Sequence, residues 1–383
     1  MADESRAGFG DGTRAVRAGL PEGGQGEPFL PGPTFAAPYH LSGLPEDSEF
    51  VYGRYGNPTW SRYEAALAEL EGGAAVVFSS GMAAVASVLL PRLRPGDVLV
   101  APADSYRGTR ILVERHLAPM GVEVRLAPTP GDEMAARLEG ATLVWLETPT
   151  NPQLEVCDIR ALADAAHAEG ALVAVDNTFA TPLGQRPLEL GADFSVASAS
   201  KMLTGHADLI LGYVATRDPQ HAEEVAGWRT MAGSVPGPFE VWLAHRSLAT
   251  LGVRLERQTA TALDLAQALG ARDDVTAVRY PGLEGDPSHP LAARQMTRFG
   301  SILSFDVGDK ERADRFLAEC RIVSDATSFG GVHTSAERRA RWSGDAVSEG
   351  FIRFSAGCEE TADVVADVLR ALDATRSEPG GAR

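Results

Sequence analysis

Lysine is almost absent from this chain. Of its 35 basic residues only Lys201 and Lys310 are lysines, and the other 33 are arginines. Any reaction that needs an amine nucleophile has two side chains to draw on. Cysteine is scarce as well. Cys157, Cys320 and Cys358 are too few for a disulfide framework, and an odd number without a CxxC pair suggests reduced thiols in a cytoplasm. No run of about 18 apolar residues exists, so no bilayer-spanning segment is expected. The start, MADESRAGFGDGTR, has no apolar core and does not read as a secretory signal. Basic charge is in deficit, 35 against 52 acidic residues, for a net −17. Such a chain is a poor partner for nucleic acid or an anionic membrane, since both are polyanions. The eight histidines show no HxH or HExxH spacing, so no metal is expected. No GxGxxG follows a strand pattern and no GxxxxGK[ST] occurs, so the phosphate loops of NAD and ATP enzymes are missing.

What remains is ordinary globular composition, 44% hydrophobic and 23% charged over 383 residues. At about 100–200 residues per domain, that length suggests two domains. Residues 1–50 are rich in Gly and Pro without periodicity and read as an extended N-terminal arm. The end, ATRSEPGGAR, reads as a frayed tail. Between them, short apolar runs at 74–78, 97–101, 122–127, 142–147, 171–176, 193–198 and 209–215 alternate with amphipathic helical patterns. That alternation predicts an α/β fold over 51–235, with a mostly parallel seven-stranded sheet covered on both faces. The Pro/Gly cluster at 234–239 marks the boundary to a smaller C-terminal α+β domain, 236–383.

In open α/β sheets, ligands bind beyond the carboxyl ends of the strands. SSGMAA (79–84) there reads as a capped helix start, whose free N–H groups also suit an anion. ETPTNP (147–152) alone reads as a polar turn. Asp176 is either a turn cap or the partner of a buried cation. Ser198, Ser200 and Lys201 follow the strand at 193–198, with Tyr106 in the loop after 97–101. Lys310 sits in the charged stretch GDKERAD and reads as exposed. Lys201 has small, nearly uncharged neighbours, where a lowered amine pKa is expected. A helix start and two hydroxyls for a phosphate, an amine for a Schiff base, a carboxylate for a pyridine nitrogen and a tyrosine for a ring are the parts needed to hold pyridoxal 5′-phosphate (PLP).

The chain resembles the trans-sulfuration (Cys/Met metabolism) family of PLP-dependent enzymes. The likeness runs from about residue 13 to 372. It rests on YGRYGNPTW (52–60), SSGMAA, ETPTNP, VDNTFATP (175–182), SASKMLTGHAD (198–208), SFGG (328–331) and IRFSAG (352–357), in the family's order. The resemblance implies PLP fold type I, the aspartate-aminotransferase-like architecture. It makes Lys201 the Schiff-base lysine, Asp176 the partner of the pyridine nitrogen and Tyr106 the ring-stacking acid–base group. Gly81, Met82, Ser198 and Ser200 match the phosphate cup, and Asn151 lies near the cofactor's 3′-oxygen. Tyr52 and Arg54 reach the phosphate of a neighbouring subunit. Arg353 clamps the substrate carboxylate with Ser328 beside it. A cytoplasmic homotetramer, a dimer of dimers with shared sites, is implied.

The implied activity is γ-elimination on L-cystathionine, giving L-cysteine, 2-oxobutyrate and ammonia. The alternatives are γ-replacement on an activated homoserine, β-cleavage of cystathionine and a related Cys or homocysteine lyase. A non-catalytic interaction protein on the same fold would tolerate loss of the lysine and aspartate, and both are present. Three positions depart from the family. His333 stands where relatives often carry a glutamate that reads the far end of the substrate. Tyr106 is followed by RGTR instead of Gly-Gly-Thr-x-Arg, which places Arg110 near that arginine's role. Gly108 replaces the cysteine of methionine γ-lyases. His206 reads as a turn residue, the three cysteines as structural, and the run AERRARW (336–342) as a solvated helix face or subunit contact.

Overall fold

The computed structural model describes residues 8–376; the outermost parts of the arm and of the tail lie outside the described residues. Seven strands form the larger sheet: β1 (Ala74–Phe78), β2 (Val98–Pro102), β3 (Glu123–Ala127), β4 (Leu143–Glu147), β5 (Leu172–Asp176), β6 (Phe194–Ala197) and β7 (Gly212–Thr216), in the order β1-β7-β6-β5-β4-β2-β3. Strands β2 to β6 run parallel, and β7 runs antiparallel to both its neighbours. β4 is buried along its whole length, as a strand with helices on both faces must be. The strand expected at 209–215 begins three residues later. Leu209 and Ile210 line a cavity instead, and Gly212 passes Ser80 so closely that a Cβ there would sit 2.3 Å from its carbonyl oxygen.

The helices start where the cap chemistry places them. Asn57 accepts from the Thr59 N–H to open helix Pro58–Glu71, and Gly72, at φ 74°, closes it. Asp158 accepts from the Ala161 N–H at 3.0 Å and opens Ile159–Ala168. The arm departs from a purely extended segment. Helix Asp11–Arg17 and the residue after it put Ala15 and Ala18 into the larger domain's core, against helices Pro58–Glu71 and Leu251–Gly270. Two small apolar residues give too little periodicity to be read from sequence.

The smaller sheet contains β8 (Thr276–Arg279), β9 (Ile302–Asp306), β10 (Ser324–Asp325), β11 (Ser335–Arg338) and β12 (Phe351–Ser355), in the order β10-β11-β12-β9-β8. Helices Leu251–Gly270, Lys310–Glu319 and Thr361–Ala374 bury their apolar sides on it. Helix Pro238–Leu248 and the first turns of Leu251–Gly270 instead contribute Val241, Ala244, Leu248, Leu251 and Leu255 to the larger domain's core. The second core starts at Ala262. No helix among the described residues is long and apolar enough to cross a membrane.

Candidate active site

A cavity of about 700 Å³ opens beyond the carboxyl ends of β4, β5 and β6, roofed by residues of the smaller domain. The parallel strands deliver its floor. Glu147 and Asp176 end β4 and β5 in register with each other, and both are buried. Burial pushes both carboxyls above their ordinary range, Glu147 well above it, with a smaller push from the neighbouring Asp176. Glu147 is held by the N–H groups of Tyr106 at 2.6 Å and Asn151 at 2.8 Å, so it ties the tyrosine loop to the ETPTNP turn. Asp176 accepts from the Thr178 N–H at 3.0 Å.

Lys201 follows β6 and enters the same space. Its Nζ donates to the Ser328 hydroxyl at 2.6 Å and lies 4.8 Å from the Phe329 ring centroid. Burial, aided by the positive Arg353, lowers its amine to about 8, against the pull of Glu337 and Asp176. Ser328 itself stands at φ 73°, an unusual backbone state for serine that marks a constrained position. Lys310, the other lysine, is the exposed first residue of its helix.

The end of the cavity expected to take a phosphate is built by helix Gly81–Arg92. Ser80 caps it by accepting from the Ala83 N–H, and Gly81 and Met82 face the cavity. A Cβ on Gly81 would fall 2.7 Å from the Ser198 Cβ, so a side chain there would fill the cradle. Ser198 and Ser200 line it too, although Ser200 gives its hydroxyl proton to the Leu211 carbonyl at 3.1 Å. Tyr106 is 42% exposed, with its ring in the cavity wall. A Cβ on Gly108 would lie 2.5 Å from that ring and 3.0 Å from the Met82 sulfur, so glycine lets the tyrosine lie close.

Arg353, on β12, is buried and lowered to about 10 by that burial. Its guanidinium donates to the Asn151 Oδ1 at 2.9 Å, the Ser328 carbonyl at 2.9 Å and the Glu337 carboxylate. Asn151 is therefore a brace for Arg353 as well as a lining residue.

Several site residues were missed by sequence reasoning. Glu147 lay in a motif read only as a turn. Phe329 follows Ser328 and puts its ring under both Lys201 and Arg353. The run AERRARW is neither a solvated helix face nor, in its first half, exposed. It forms β11 and a short turn in which Glu337, Arg338 and Arg339 are buried. Glu337 accepts from Arg353, Arg339 and the Trp342 indole, and Arg339 continues to Asp345. Asp345 also receives Arg110, which bonds the Ser105 carbonyl at 2.8 Å. Arg110 is thus a tether joining the tyrosine loop to the roof. Alternating opposite charges in SAERRARWSGD were the available signal; an exposed helix and a buried ion network share it.

Three of the expected residues lie outside this cavity's lining, two of them expected at a neighbouring subunit's phosphate. Tyr52 and Arg54 stand apart from its lining, with Arg54 5.6 Å from the Tyr52 ring centroid and 5.0 Å from that of Tyr55. His333, expected at the substrate's far end, is exposed and absent from the lining, because the chain turns away after Phe329. None of the three cysteines lines the cavity.

The profile of the Cys/Met metabolism PLP-dependent enzymes matches residues 27–373. The chain belongs to this family. A relative in Streptomyces coelicolor, provisionally named cystathionine gamma-lyase, is 58% identical over 97% of this chain and 96% of its own. A cystathionine gamma-synthase of Mycobacterium tuberculosis is 41% identical over 95% of this chain and 97% of its own. The solved structure of a cystathionine gamma-lyase from Micromonospora echinospora superposes with a TM-score of 0.89 at 40% identity, covering 96% of this chain and all of that one. This is a PLP-dependent Cys/Met metabolism enzyme of fold type I. The cavity fits its cofactor: a glycine-opened helix start for the phosphate, a buried carboxylate for the ring nitrogen and one amine.

Proposed function

We propose that the chain catalyses γ-elimination on L-cystathionine, taking up one water and releasing L-cysteine, 2-oxobutyrate and ammonia. The observation that carries this reading is the placement of Lys201, an amine of lowered pKa facing Ser328 in a cavity that also holds a buried Arg353. When bound, PLP supplies an aldehyde for the substrate's amino group and an electron sink beside its α-carbon.

The chain's own residues supply the rest. Asp176, as the anion at the floor, holds a proton on the ring nitrogen. Gly81, Met82 and Ser198 receive the phosphate, and Tyr106 offers its ring to the cofactor's face. The Arg353 fork binds the α-carboxylate and thereby orients the Cα–H bond. Lys201 would remove the Cα proton, give it up to the bound cofactor and, neutral again, remove a Cβ proton. One amine can do both because its pKa leaves a working share neutral near pH 7–8. Tyr106 or Lys201 returns a proton to the sulfur as it leaves Cγ.

A γ-replacement that joins cysteine to an activated homoserine uses the same residues, and the mycobacterial relative's name supports it as the second reading. Purified enzyme with L-cystathionine separates the outcomes. 2-Oxobutyrate with cysteine means γ-cleavage, and pyruvate with homocysteine means β-cleavage. Neither product, with cystathionine made from cysteine and an O-acylhomoserine, would overturn the lyase reading. We also propose a homotetramer in which Tyr52 and Arg54 complete a neighbour's phosphate site. Their distance from this chain's own cavity supports it, as does the 43% and 54% exposure of Tyr52 and Tyr55. Light scattering that returns a monomer with full PLP affinity would refute it.

A further inference from the structure

Four cationic side chains line the cavity: Lys201, Arg353, Arg339 and Arg107. Three are committed. Lys201 bonds Ser328, Arg353 is held by Asn151, Ser328 and Glu337, and Arg339 is neutralised by Glu337 and Asp345. Arg107 differs. Among the described residues it has no hydrogen bond, ion pair or ring contact. It directly follows Tyr106 and is the first residue of helix Arg107–Leu112. Its guanidinium end runs beside Gly344 of the roof, where a Cβ would come within 3.2 Å of Nε. Glycine there leaves the arginine room to lie along the mouth.

We propose that Arg107 binds the carboxylate at the far end of a two-ended sulfur amino acid, making this chain selective for substrates that carry a second carboxylate. The inference rests on the cystathionine reading and deepens it. Such a substrate presents two carboxylates, and Arg353, whose partners among the described residues engage only Nη1 and Nη2 and leave the Nε hydrogen unused, takes the one beside the reacting carbon. A cavity wall with one uncommitted guanidinium is matched to the other, since a planar fork accepts a carboxylate in two bonds. His333 does not compete for this role, because it lies outside the cavity. The roof carboxylates Glu337 and Asp345 pair with Arg353, Arg339 and Arg110, and neither pairs with Arg107.

The test compares L-cystathionine with S-(2-aminoethyl)-L-homocysteine, the same molecule without the far carboxylate. Each is titrated into PLP-loaded enzyme, and binding is read from the change in cofactor absorbance. That readout does not depend on which bond is later broken, so it is separate from the product assay of the lyase reading. Wild-type enzyme is expected to prefer cystathionine by at least about tenfold, the scale of a charge-assisted bond. Arg107→Gln should bring the ratio of the two Kd values close to one, and Arg107→Lys should restore part of it. An unchanged ratio in Arg107→Gln would overturn the proposal, as would an equal loss for both ligands. So would a loss confined to PLP affinity, which would place Arg107 at the phosphate.

Discussion

Replacing Lys201 with methionine in the PLP-free protein should stabilise it, and the gain should shrink as pH rises. An ordinary lysine titrates near 10.5, and this one is lowered to about 8 because burial and Arg353 disfavour the ammonium. Below pH 8 the amine is charged in both folded and unfolded chains, so the folded state carries the whole cost, about 3 kcal/mol at 1.36 kcal/mol per unit. Between pH 8 and 10.5 the unfolded chain binds more protons than the folded one, so wild-type stability rises with pH. By pH 9.5 the cost falls to about 1 kcal/mol by the same linkage. Methionine is close in volume and does not titrate. Its own packing therefore adds a constant, and only the pH-dependent part matters. Urea unfolding of both proteins at pH 7 and pH 9.5, with equal m-values, measures that part. A stability difference that changes by about 2 kcal/mol supports the account. A difference that stays flat across the range would refute it, because the amine would then be as well solvated folded as unfolded.

Three further outcomes follow from the same geometry. Asp176→Asn keeps the shape of the floor and removes its anion, so kcat at saturating PLP should fall at least about a hundredfold; a near-normal rate would remove Asp176 from the chemistry. Glu337→Gln leaves Arg353 and Arg339 buried with one anion fewer, which should cost about 3 kcal/mol in urea unfolding. The same change removes a group that raises Lys201, so the acidic limb of the activity profile should move to lower pH; a shift to higher pH contradicts that electrostatic assignment. Gly81→Ala places a Cβ 2.7 Å from the Ser198 Cβ. It should weaken PLP binding, measured by absorbance titration, and cost about 1–3 kcal/mol of stability as overpacking does; unaltered PLP affinity would mean that the cradle lies elsewhere.

The strands and the order of the site motifs were legible because they follow local rules. A strand covered on both faces must be apolar along its length; VLVAP is, and LVWLE and LVAVD are up to the carboxylate that ends each of them at the cavity. The amine was legible by elimination, since only two lysines exist and Lys310 lies in charged sequence. The roof was not legible. SAERRARW carries the charge density of a solvated helix, and only the pairing of β11 with β12 sets Glu337 opposite Arg353. Likewise, three leading residues of the run at 209–215 look like strand, yet Leu209 and Ile210 are spent on the cavity wall.

The sequence by itself determined the fold class, the single amine suited to the chemistry and the carboxylate at the end of β5, because apolar period, composition and strand-end position are local properties. The tertiary structure decided how charge is shared. Burial at the floor sets the state of Glu147 against Asp176. Contacts between residues more than 200 positions apart commit Arg353 and Arg110 and, among the described residues, leave Arg107 without a partner. Whether a guanidinium is neutralised or available depends on which carboxylates surround it in space, and spacing along a chain does not contain that information.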